Sequence, residues 1–247
     1  MHLNRCFLTP SIKPTPDAAP RRVLFVGNSY LYYGDGMHNH VRRLANAADS
    51  KLQLQPATYK SATISGSALR DHNIRAYLEP GKLRVAEPFE IVVLQGGSAE
   101  AGSTQGRADF EAAVIDFDKE IRRTGARTAL YMTHAYVAPH EHADPAMIKD
   151  LEALYVSTAN KVGALVIPAG LAFEEAYRRR PGIPLHKAHD GSHPDLMGTY
   201  LAACVTYACL YGRSPVGNPY DYYGAIDGDA ARFLQQVAEY TVNWFFR

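Results

Sequence analysis

A short apolar stretch near the start of the chain runs directly into a glycine and a serine. Residues 23–26 are Val, Leu, Phe and Val, and Gly27, Asn28 and Ser29 follow them. A continuous apolar run is typical of a strand buried on both faces, as in a parallel sheet. Gly27 permits a tight turn, which would place Ser29 at the carboxyl end of the strand, the edge where open α/β sheets bind ligands. The sequence therefore makes Ser29 a candidate nucleophile, although a serine here could simply cap the next helix.

The composition is that of an ordinary globular protein. The 247 residues are 47% hydrophobic and 21% charged, which suits one large domain with a sizeable core. A formal net charge of +1 gives no electrostatic footprint for nucleic acid or for an anionic membrane. No apolar run approaches the length of a membrane span. We therefore expect a small-molecule partner, with no nucleic-acid or membrane partner, and leave the oligomeric state open.

The first twenty residues and the cysteines bear on the compartment. Residues 1–20 contain four prolines and lack the apolar core of a secretory signal, so we expect an irregular arm before one domain over residues 21–247. Three cysteines argue against a disulfide framework, and Cys204 and Cys209 are spaced to point to different faces of one helix. A cytoplasmic location fits this pattern. The alternatives are a periplasmic or secreted protein whose signal peptide has been removed, and a lipid anchor on Cys6.

Apolar periodicity predicts strands that alternate with helices along the rest of the chain. Further strands are expected at residues 52–59, 90–95, 128–133 and 164–168. Helices are expected at residues 37–48, 109–123 and 196–211, with others ending near residues 78, 160 and 177 and a last one towards the C-terminus. This alternation implies βαβ units and a single doubly wound sheet. Residues 61–67 are small and polar, as a loop crossing a site would be.

A possible base for Ser29 occurs late in the chain. A serine hydroxyl is a weak nucleophile unless a base takes its proton, and that base needs a third group to fix its tautomer. Asp190 and His193 lie three residues apart in an irregular segment just before a predicted helix. At this spacing the carboxylate can contact one nitrogen of the imidazole and leave the other free to face Ser29. The plainer alternative is a surface turn and a helix start, because Asp and Ser both initiate turns.

These two segments resemble motifs of the SGNH (GDSL-type) hydrolases. The first motif of that family, Gly-Asp-Ser-Leu after the first strand, is similar to Gly-Asn-Ser-Tyr at residues 27–30. The last motif, Asp-x-x-His before the final helices, is similar to residues 190–193. Gly66 is similar to the family glycine that lends its amide to the oxyanion hole after the second strand. The resemblance covers most of the chain and places both motifs in the family's order.

The resemblance implies both a fold and an activity. The fold would be a single flavodoxin-like α/β domain, in which helices flank a doubly wound sheet of five parallel strands as an α/β/α sandwich. The activity would be hydrolysis of an acyl ester, often an acetyl group on a carbohydrate, without a cofactor. The family's triad would consist of Ser29, His193 and Asp190, and the amides of Ser29 and Gly66 would stabilise the oxyanion.

Two positions depart from the family pattern. Asn28 replaces the Asp of the first motif, which keeps hydrogen-bonding capacity and loses charge. The family's Gly-x-Asn-Asp motif after the third strand is absent, and Gln-Gly-Gly-Ser stands there at residues 95–98. We hypothesise that the side-chain amide of Gln95, or a group of Gly97 or Ser98, supplies the third oxyanion donor. The alternative is that Gln95 only ends the strand and bonds backbone.

Other side chains are candidates for the site. Ser98 half-matches the Gly-x-Ser-x-Gly elbow and is a rival nucleophile, but Glu100 stands where the elbow needs a small residue. We expect Tyr30, Ser98 and His134 to contact substrate, with packing as the alternative for the two rings. Two groups of tyrosines could form a sugar-stacking platform or could belong to the core: Tyr30, Tyr32 and Tyr33, and Tyr220, Tyr222 and Tyr223.

Histidine-rich loops raise the question of a metal. The two candidate sets are His140, Glu141, His142 and Asp144, and His186, His189 and His193. Neither set has a familiar ligand spacing, so we expect no metal. The leading function is a serine hydrolase that cleaves a small acyl ester, with acetyl on a carbohydrate as the favoured case. The alternatives are a non-catalytic domain that binds a carbohydrate or small ligand on the same fold, and a metal-dependent hydrolase.

Overall fold

Five parallel strands form the single sheet at the centre of the molecule. The computed structural model describes residues 8–247, apart from the side chain of Ser98. The strands are β1 (Val23–Gly27), β2 (Tyr59–Thr63), β3 (Ile91–Leu94), β4 (Arg127–Tyr131) and β5 (Leu165–Ile167). Their order is β2-β1-β3-β4-β5, and every neighbouring pair is parallel. This is the doubly wound, flavodoxin-like order, so the predicted fold class is confirmed.

Helices cover both faces of the sheet. They are α1 (Ser29–Tyr32), α2 (Met37–Ala48), α3 (Ile74–Leu78), α4 (Thr104–Arg123), α5 (Met147–Val162), α6 (Ala169–Arg179), α7 (Leu196–Tyr211) and α8 (Gly228–Phe245). One layer contains α3, α4 and α5, and the other contains α2 and α7 with α6 and α8 packed on α7. The sheet is therefore buried on both faces, which explains why β1 and β3 are apolar without interruption.

Helix α7 is buried almost all round. Its residues from Gly198 to the last turn are buried because the sheet lies on one side and α8 lies on another. A helix that is apolar on every face belongs inside a protein, and the sequence of α7 follows that rule. Cys204 and Cys209 are buried in this helix as free thiols.

The second strand differs from its prediction. The alternating residues 52–58 do not form a strand, and β2 begins only at Tyr59. The two leucines of that segment are buried because they anchor a loop, in which the side chain of Asn46 bonds both the N–H and the carbonyl of Leu54. The loop expected at residues 61–67 correspondingly starts as strand and becomes irregular after Thr63. A loop with buried anchors produces the same alternation as a half-buried strand.

The described part of the N-terminal arm lies on the domain. Residues 8–22 are irregular. The carbonyl of Pro20 accepts hydrogen bonds from the hydroxyls of Tyr59 and Tyr211, and the N–H of Ser11 donates to Asn160. The lipid-anchor hypothesis for Cys6 falls outside the described residues. Within residues 8–247, no helix combines the length and the apolar character that crossing a membrane requires.

Candidate active site

Ser29 is the first residue of α1 and directly follows the turn at the end of β1. Asn28 caps this short helix, because its side-chain oxygen accepts a hydrogen bond from the N–H of Tyr30 at 3.2 Å. The side-chain nitrogen of Asn28, Nδ2, donates to the carbonyl of Ser67 at 3.0 Å. The first contact needs a side-chain oxygen, which Asn and Asp share, and the second needs an N–H donor, which only Asn provides. The Asn found in place of the family Asp therefore fixes the turn that carries Ser29.

Gln95 supports the same turn from the neighbouring strand. Its side-chain oxygen accepts a hydrogen bond from the N–H of Asn28 at 2.9 Å, and its side-chain nitrogen donates to the carbonyl of Gly96. The side chain is 1% exposed. A Cβ at residue 27 would overlap the Gln95 oxygen, which explains why Gly27 stands there. These contacts favour the positioning alternative for Gln95 over a third oxyanion donor.

The segment between α6 and α7 brings His193 and Asp190 to Ser29. Ser29 Oγ lies 2.9 Å from His193 Nε2, and His193 Nδ1 lies 2.7 Å from Asp190 Oδ2. The other carboxylate oxygen, Oδ1, accepts hydrogen bonds from the backbone N–H groups of Ser192 and His193. The three-residue spacing thus forms a closed turn in which one carboxylate holds both the backbone and the imidazole. The three predicted triad residues come together in one hydrogen-bonded chain.

The electrostatics of Asp190 set the orientation of the imidazole. Partial burial opposes ionisation, but hydrogen bonds from the Ser192 N–H and from His193 outweigh it and lower the pKa of Asp190 to about 2. An ionised carboxylate accepts the Nδ1 proton of His193, which leaves Nε2 as the acceptor for the Ser29 hydroxyl. His189 is mostly exposed, and its Nε2 lies 3.4 Å from the same Asp190 oxygen.

Two rings predicted to contact substrate lie beneath this segment. The hydroxyl of Tyr30 is 2.7 Å from Ser192 Oγ, and His134 Nε2 is 2.7 Å from the carbonyl of Ser192. Tyr30 is 4% exposed and His134 is fully buried. That both rings contact substrate stays a prediction. Their contacts hold the segment that carries His193.

Burial keeps His134 neutral. Desolvation, reinforced by the neighbouring His186, lowers the pKa of His134 to about 3. The His134 ring stacks on Phe173 with ring centres 4.4 Å apart and lies tilted against Tyr30 at 4.5 Å. A neutral imidazole with its proton on Nε2 can donate to the Ser192 carbonyl, as the geometry requires. Ser192 had no sequence signal of its own, because its part depends on contacts with residues far away in the chain.

The backbone N–H groups of Ser29 and Gly66 are the oxyanion donors that the resemblance implies. Among the described residues, neither the Ser29 N–H nor the Gly66 N–H has a hydrogen-bond acceptor. Gly66 lies in an exposed turn after β2, with a φ of 68° that suits glycine. That turn is joined to the Ser29 segment through the Ile64 N–H, which donates to the carbonyl of Gly27. The predicted oxyanion donors thus come from adjoining segments at one edge of the sheet.

Two tyrosines form the rim beside the imidazole. Tyr33 stacks on His193 with ring centres 4.4 Å apart, and Tyr32 stacks on Tyr33 at 5.5 Å. Tyr32 is 40% exposed, and its hydroxyl donates to Ser65 Oγ. The sequence named both rings as a platform or as core. It did not predict that Tyr33 would also support the face of the imidazole.

The rival nucleophile and the other histidines were also candidates. Ser98 begins a short 3-10 helix (Ser98–Gly102) after β3, and its side chain is outside what the structure describes. His140 stacks on Tyr136, and His186 bonds the hydroxyl of Tyr177. Within the described chain, no three His, Cys, Asp or Glu side chains are grouped as metal ligands.

Comparison with known proteins gives matches in structure and none in sequence. No protein-family model and no curated protein matches the chain. Similar solved structures include a DUF4886-family protein from Bacteroides uniformis, 19% identical, with a TM-score of 0.69 over 92% of this chain and 96% of that one. An SGNH hydrolase candidate from Slackia heliotrinireducens is 21% identical, with a TM-score of 0.61 over 77% of this chain and 98% of that one.

An esterase is also among the similar structures. The acetylxylan esterase Axe2 from Geobacillus stearothermophilus, solved as a catalytic mutant, is 18% identical, with a TM-score of 0.57 over 78% of this chain and 94% of that one. At such identities the likeness concerns the fold. Together with the strand order, it confirms the resemblance that the two motifs suggested: this chain has the fold of the SGNH hydrolases.

Proposed function

We propose that the protein is a serine esterase that removes a small acyl group, an acetyl group in the favoured case, from a carbohydrate. The observation that carries the proposal is the chain of hydrogen bonds from Ser29 Oγ to His193 Nε2, at 2.9 Å, and from His193 Nδ1 to Asp190, at 2.7 Å. A nucleophile, a base within hydrogen-bond reach and a third group that orients the base are the parts that covalent acyl transfer needs.

Acylation begins when His193 Nε2 takes the Ser29 proton. The freed Ser29 oxygen attacks the acyl carbonyl, and the N–H groups of Ser29 and Gly66 donate to the oxyanion that forms. Asp190 stabilises the imidazolium, because its carboxylate accepts the Nδ1 proton. The tetrahedral intermediate collapses, the bond to the sugar oxygen breaks, and His193 gives its proton to that oxygen. The acyl group remains on Ser29.

Deacylation repeats these steps with water. His193 takes a proton from the water molecule, whose oxygen attacks the acyl carbon, and the second intermediate expels the Ser29 oxygen. The proton returns from His193 to Ser29, and the free acid leaves. Each residue ends in its starting state, so the cycle needs no cofactor.

Two observations support a carbohydrate as the carrier of the acyl group. Structures with the same fold include proteins named as acetylxylan esterases. The rim beside His193 consists of the stacked rings of Tyr32 and Tyr33, and an aromatic face suits the apolar face of a sugar ring.

Hydrolysis of para-nitrophenyl acetate and of acetylated xylan by the Ser29→Ala variant tests the proposal. The variant should lose about three or more orders of magnitude in kcat/KM on both substrates, since the nucleophile is gone. Ser157→Ala is the matched control, because Ser157 lies on α5 and its hydroxyl donates to the carbonyl of Leu154 in the same helix. Turnover that survives in Ser29→Ala at the wild-type rate would refute the assignment.

A non-catalytic carbohydrate-binding domain is the second candidate function. One observation favours it: the amide of Gln95, at the position of the missing family Asn, is engaged with backbone groups. Loss of one oxyanion donor costs about two to three orders of magnitude in rate. A wild-type protein that binds xylan oligosaccharides but hydrolyses neither ester would establish this candidate.

A further inference from the structure

The loop between α7 and α8 presents an exposed tyrosine on a strained tip. Tyr222, Tyr223 and Gly224 all have left-handed backbone conformations, with φ values of 57°, 60° and 80°. For a residue with a side chain, this conformation is unfavourable, because the Cβ approaches the following carbonyl oxygen. Two such residues in succession are unusual, and strain of this kind collects where a side chain is held for a function.

Contacts within the loop and with α2 hold the tip in place. Asp221 accepts a hydrogen bond from the N–H of Gly224, and the hydroxyl of the buried Tyr220 lies 3.0 Å from His40 Nδ1. The Tyr222 ring packs 5.0 Å from the ring of His40. The strain is therefore maintained by packing on α2, and its result is a fixed direction for the next residue, Tyr223.

Tyr223 offers an exposed aromatic ring with a charged pair on one of its faces. Its side chain is 78% exposed, the highest value among the exposed large hydrophobic residues of the described chain. The Arg43 guanidinium lies 5.2 Å from the ring centre and is paired with the carboxylate of Asp35. An aromatic face suits the apolar face of a sugar, and the paired charges can bond sugar hydroxyls with donors and acceptors together.

This cluster lies on the same rim as the candidate triad. Asp35 ends the 3-10 turn Tyr33–Asp35, whose first residue stacks on His193. Asp35 is two residues from Tyr33, and two residues span about 7 Å of extended chain at most. The Arg43–Asp35 pair therefore lies close to the ring that stacks on the imidazole. Asp35 is itself left-handed, with a φ of 75°. A single turn therefore connects the ring beside His193 to the group beneath Tyr223.

We propose that Tyr223, with Arg43 and Asp35, forms a second sugar subsite that binds a pyranose ring of a polysaccharide away from the scissile ester. The protein would then act on acetyl groups along a polymer and use Tyr223 to hold a neighbouring part of the chain. The proposal rests on the proposed function for its substrate class, but sugar binding by Tyr223 can be measured without turnover.

Isothermal titration with three hexasaccharides, of xylose, glucose and N-acetylglucosamine units, tests the subsite. At least one should bind the wild-type protein, and Tyr223→Ala should weaken that binding about five- to tenfold through loss of ring contact. Tyr240→Ala is the matched control, because Tyr240 also carries a guanidinium over its ring but lies on α8, where Arg179 approaches it. Unchanged binding in Tyr223→Ala, or no binding of any hexasaccharide, would overturn the proposal.

Two further measurements distinguish the subsite from a purely structural role of Tyr223 and from the esterase proposal. Tyr223→Gly removes the left-handed strain, so it should be at least as heat-stable as the wild type and still lose the sugar, whereas a purely structural Tyr223 would give a less stable protein with binding intact. Turnover of para-nitrophenyl acetate should be equal in Tyr240→Ala and wild type, because Tyr240 lies on α8, outside the triad and the subsite. If no ester is turned over, the titration still decides the subsite while the esterase proposal fails.

Discussion

Near the edge of the sheet, the surroundings of the Glu100 carboxyl group oppose its ionisation. Its carboxyl lies against Gly96, and within the described chain one of its oxygens, Oε2, is buried without a hydrogen-bond partner. Burial raises the pKa of Glu100 to about 7, although the N–H of Gly97 and the charge of Arg70 act in the opposite direction. Ionised Glu100 therefore costs the folded state free energy.

Replacing Glu100 with glutamine should reveal that cost as a pH-dependent change in stability. Between about pH 4.5 and pH 7 the unfolded chain loses this proton before the folded protein does, so wild-type stability falls as the pH rises. Across that window, the free energy of unfolding of Glu100→Gln should rise relative to that of the wild type by on the order of 1–3 kcal/mol. Urea unfolding in acidic and in mildly alkaline buffer measures it, with the exposed Glu79→Gln as the control. An equal difference at both pH values would contradict the burial argument.

At the scale of residues, the sequence pointed to three side chains that the structure brings together, but not to the contacts around them. Ser29, Asp190 and His193 were identifiable because each stands in a short motif whose geometry is local. The burial of Tyr30 and His134 could not be predicted, since a ring after a strand gives no sign of whether a later segment will cover it. The segment that covers them follows roughly 50 to 160 residues later, through Ser192.

At the scale of elements, the segment between α6 and α7 decides whether His193 reaches Ser29. The carbonyl of Gly191 accepts a hydrogen bond from the N–H of Val137, and the carbonyl of Ser192 accepts one from His134. Gly191 has a φ of 63°, and a Cβ there would overlap the Val137 carbonyl. Only glycine suits this position for both reasons.

Gly191→Ala should therefore displace the segment and impair function more than stability. We expect a fall in kcat of about tenfold or more, because displacing a catalytic base by about 1 Å can lower the rate by about two orders of magnitude. Gly182→Ala is a matched control, since Gly182 shares the segment and a left-handed φ of 85° but has open space around its Cβ position. Kinetics on para-nitrophenyl acetate and thermal melting of both variants provide the comparison. Equal losses in both would mean that backbone strain alone explains the effect.

Elements differed in how well the sequence predicted them. Helices α2 and α7 have the bounds that their apolar pattern predicted, because each is long enough for the pattern to repeat. Helix α4 begins at Thr104, five residues before its predicted start at 109, because the side chain of Ser103 caps it by accepting from the N–H of Gly106. Strand β2 was misplaced because burial of two leucines in a loop imitates strand alternation.

At the scale of the whole molecule, the parallel sheet makes the candidate triad possible. Ser29 follows the end of β1, beside the switch point between β1 and β3, while His193 belongs to a segment 164 residues later. In a doubly wound sheet, the carboxyl ends of all strands meet at one edge, so distant segments converge there. The topology could be predicted from the alternation of elements. The closeness of the two side chains required the packing of α7 against α2 and the sheet.

Labelling with a fluorophosphonate probe, followed by mapping of the modified peptide, tests the central claim most directly, because only an activated serine reacts readily with such a probe. We expect a single adduct on Ser29, present in Ser157→Ala and absent from Ser29→Ala and His193→Ala. An unlabelled wild-type protein, or an adduct on Ser98, would contradict the account.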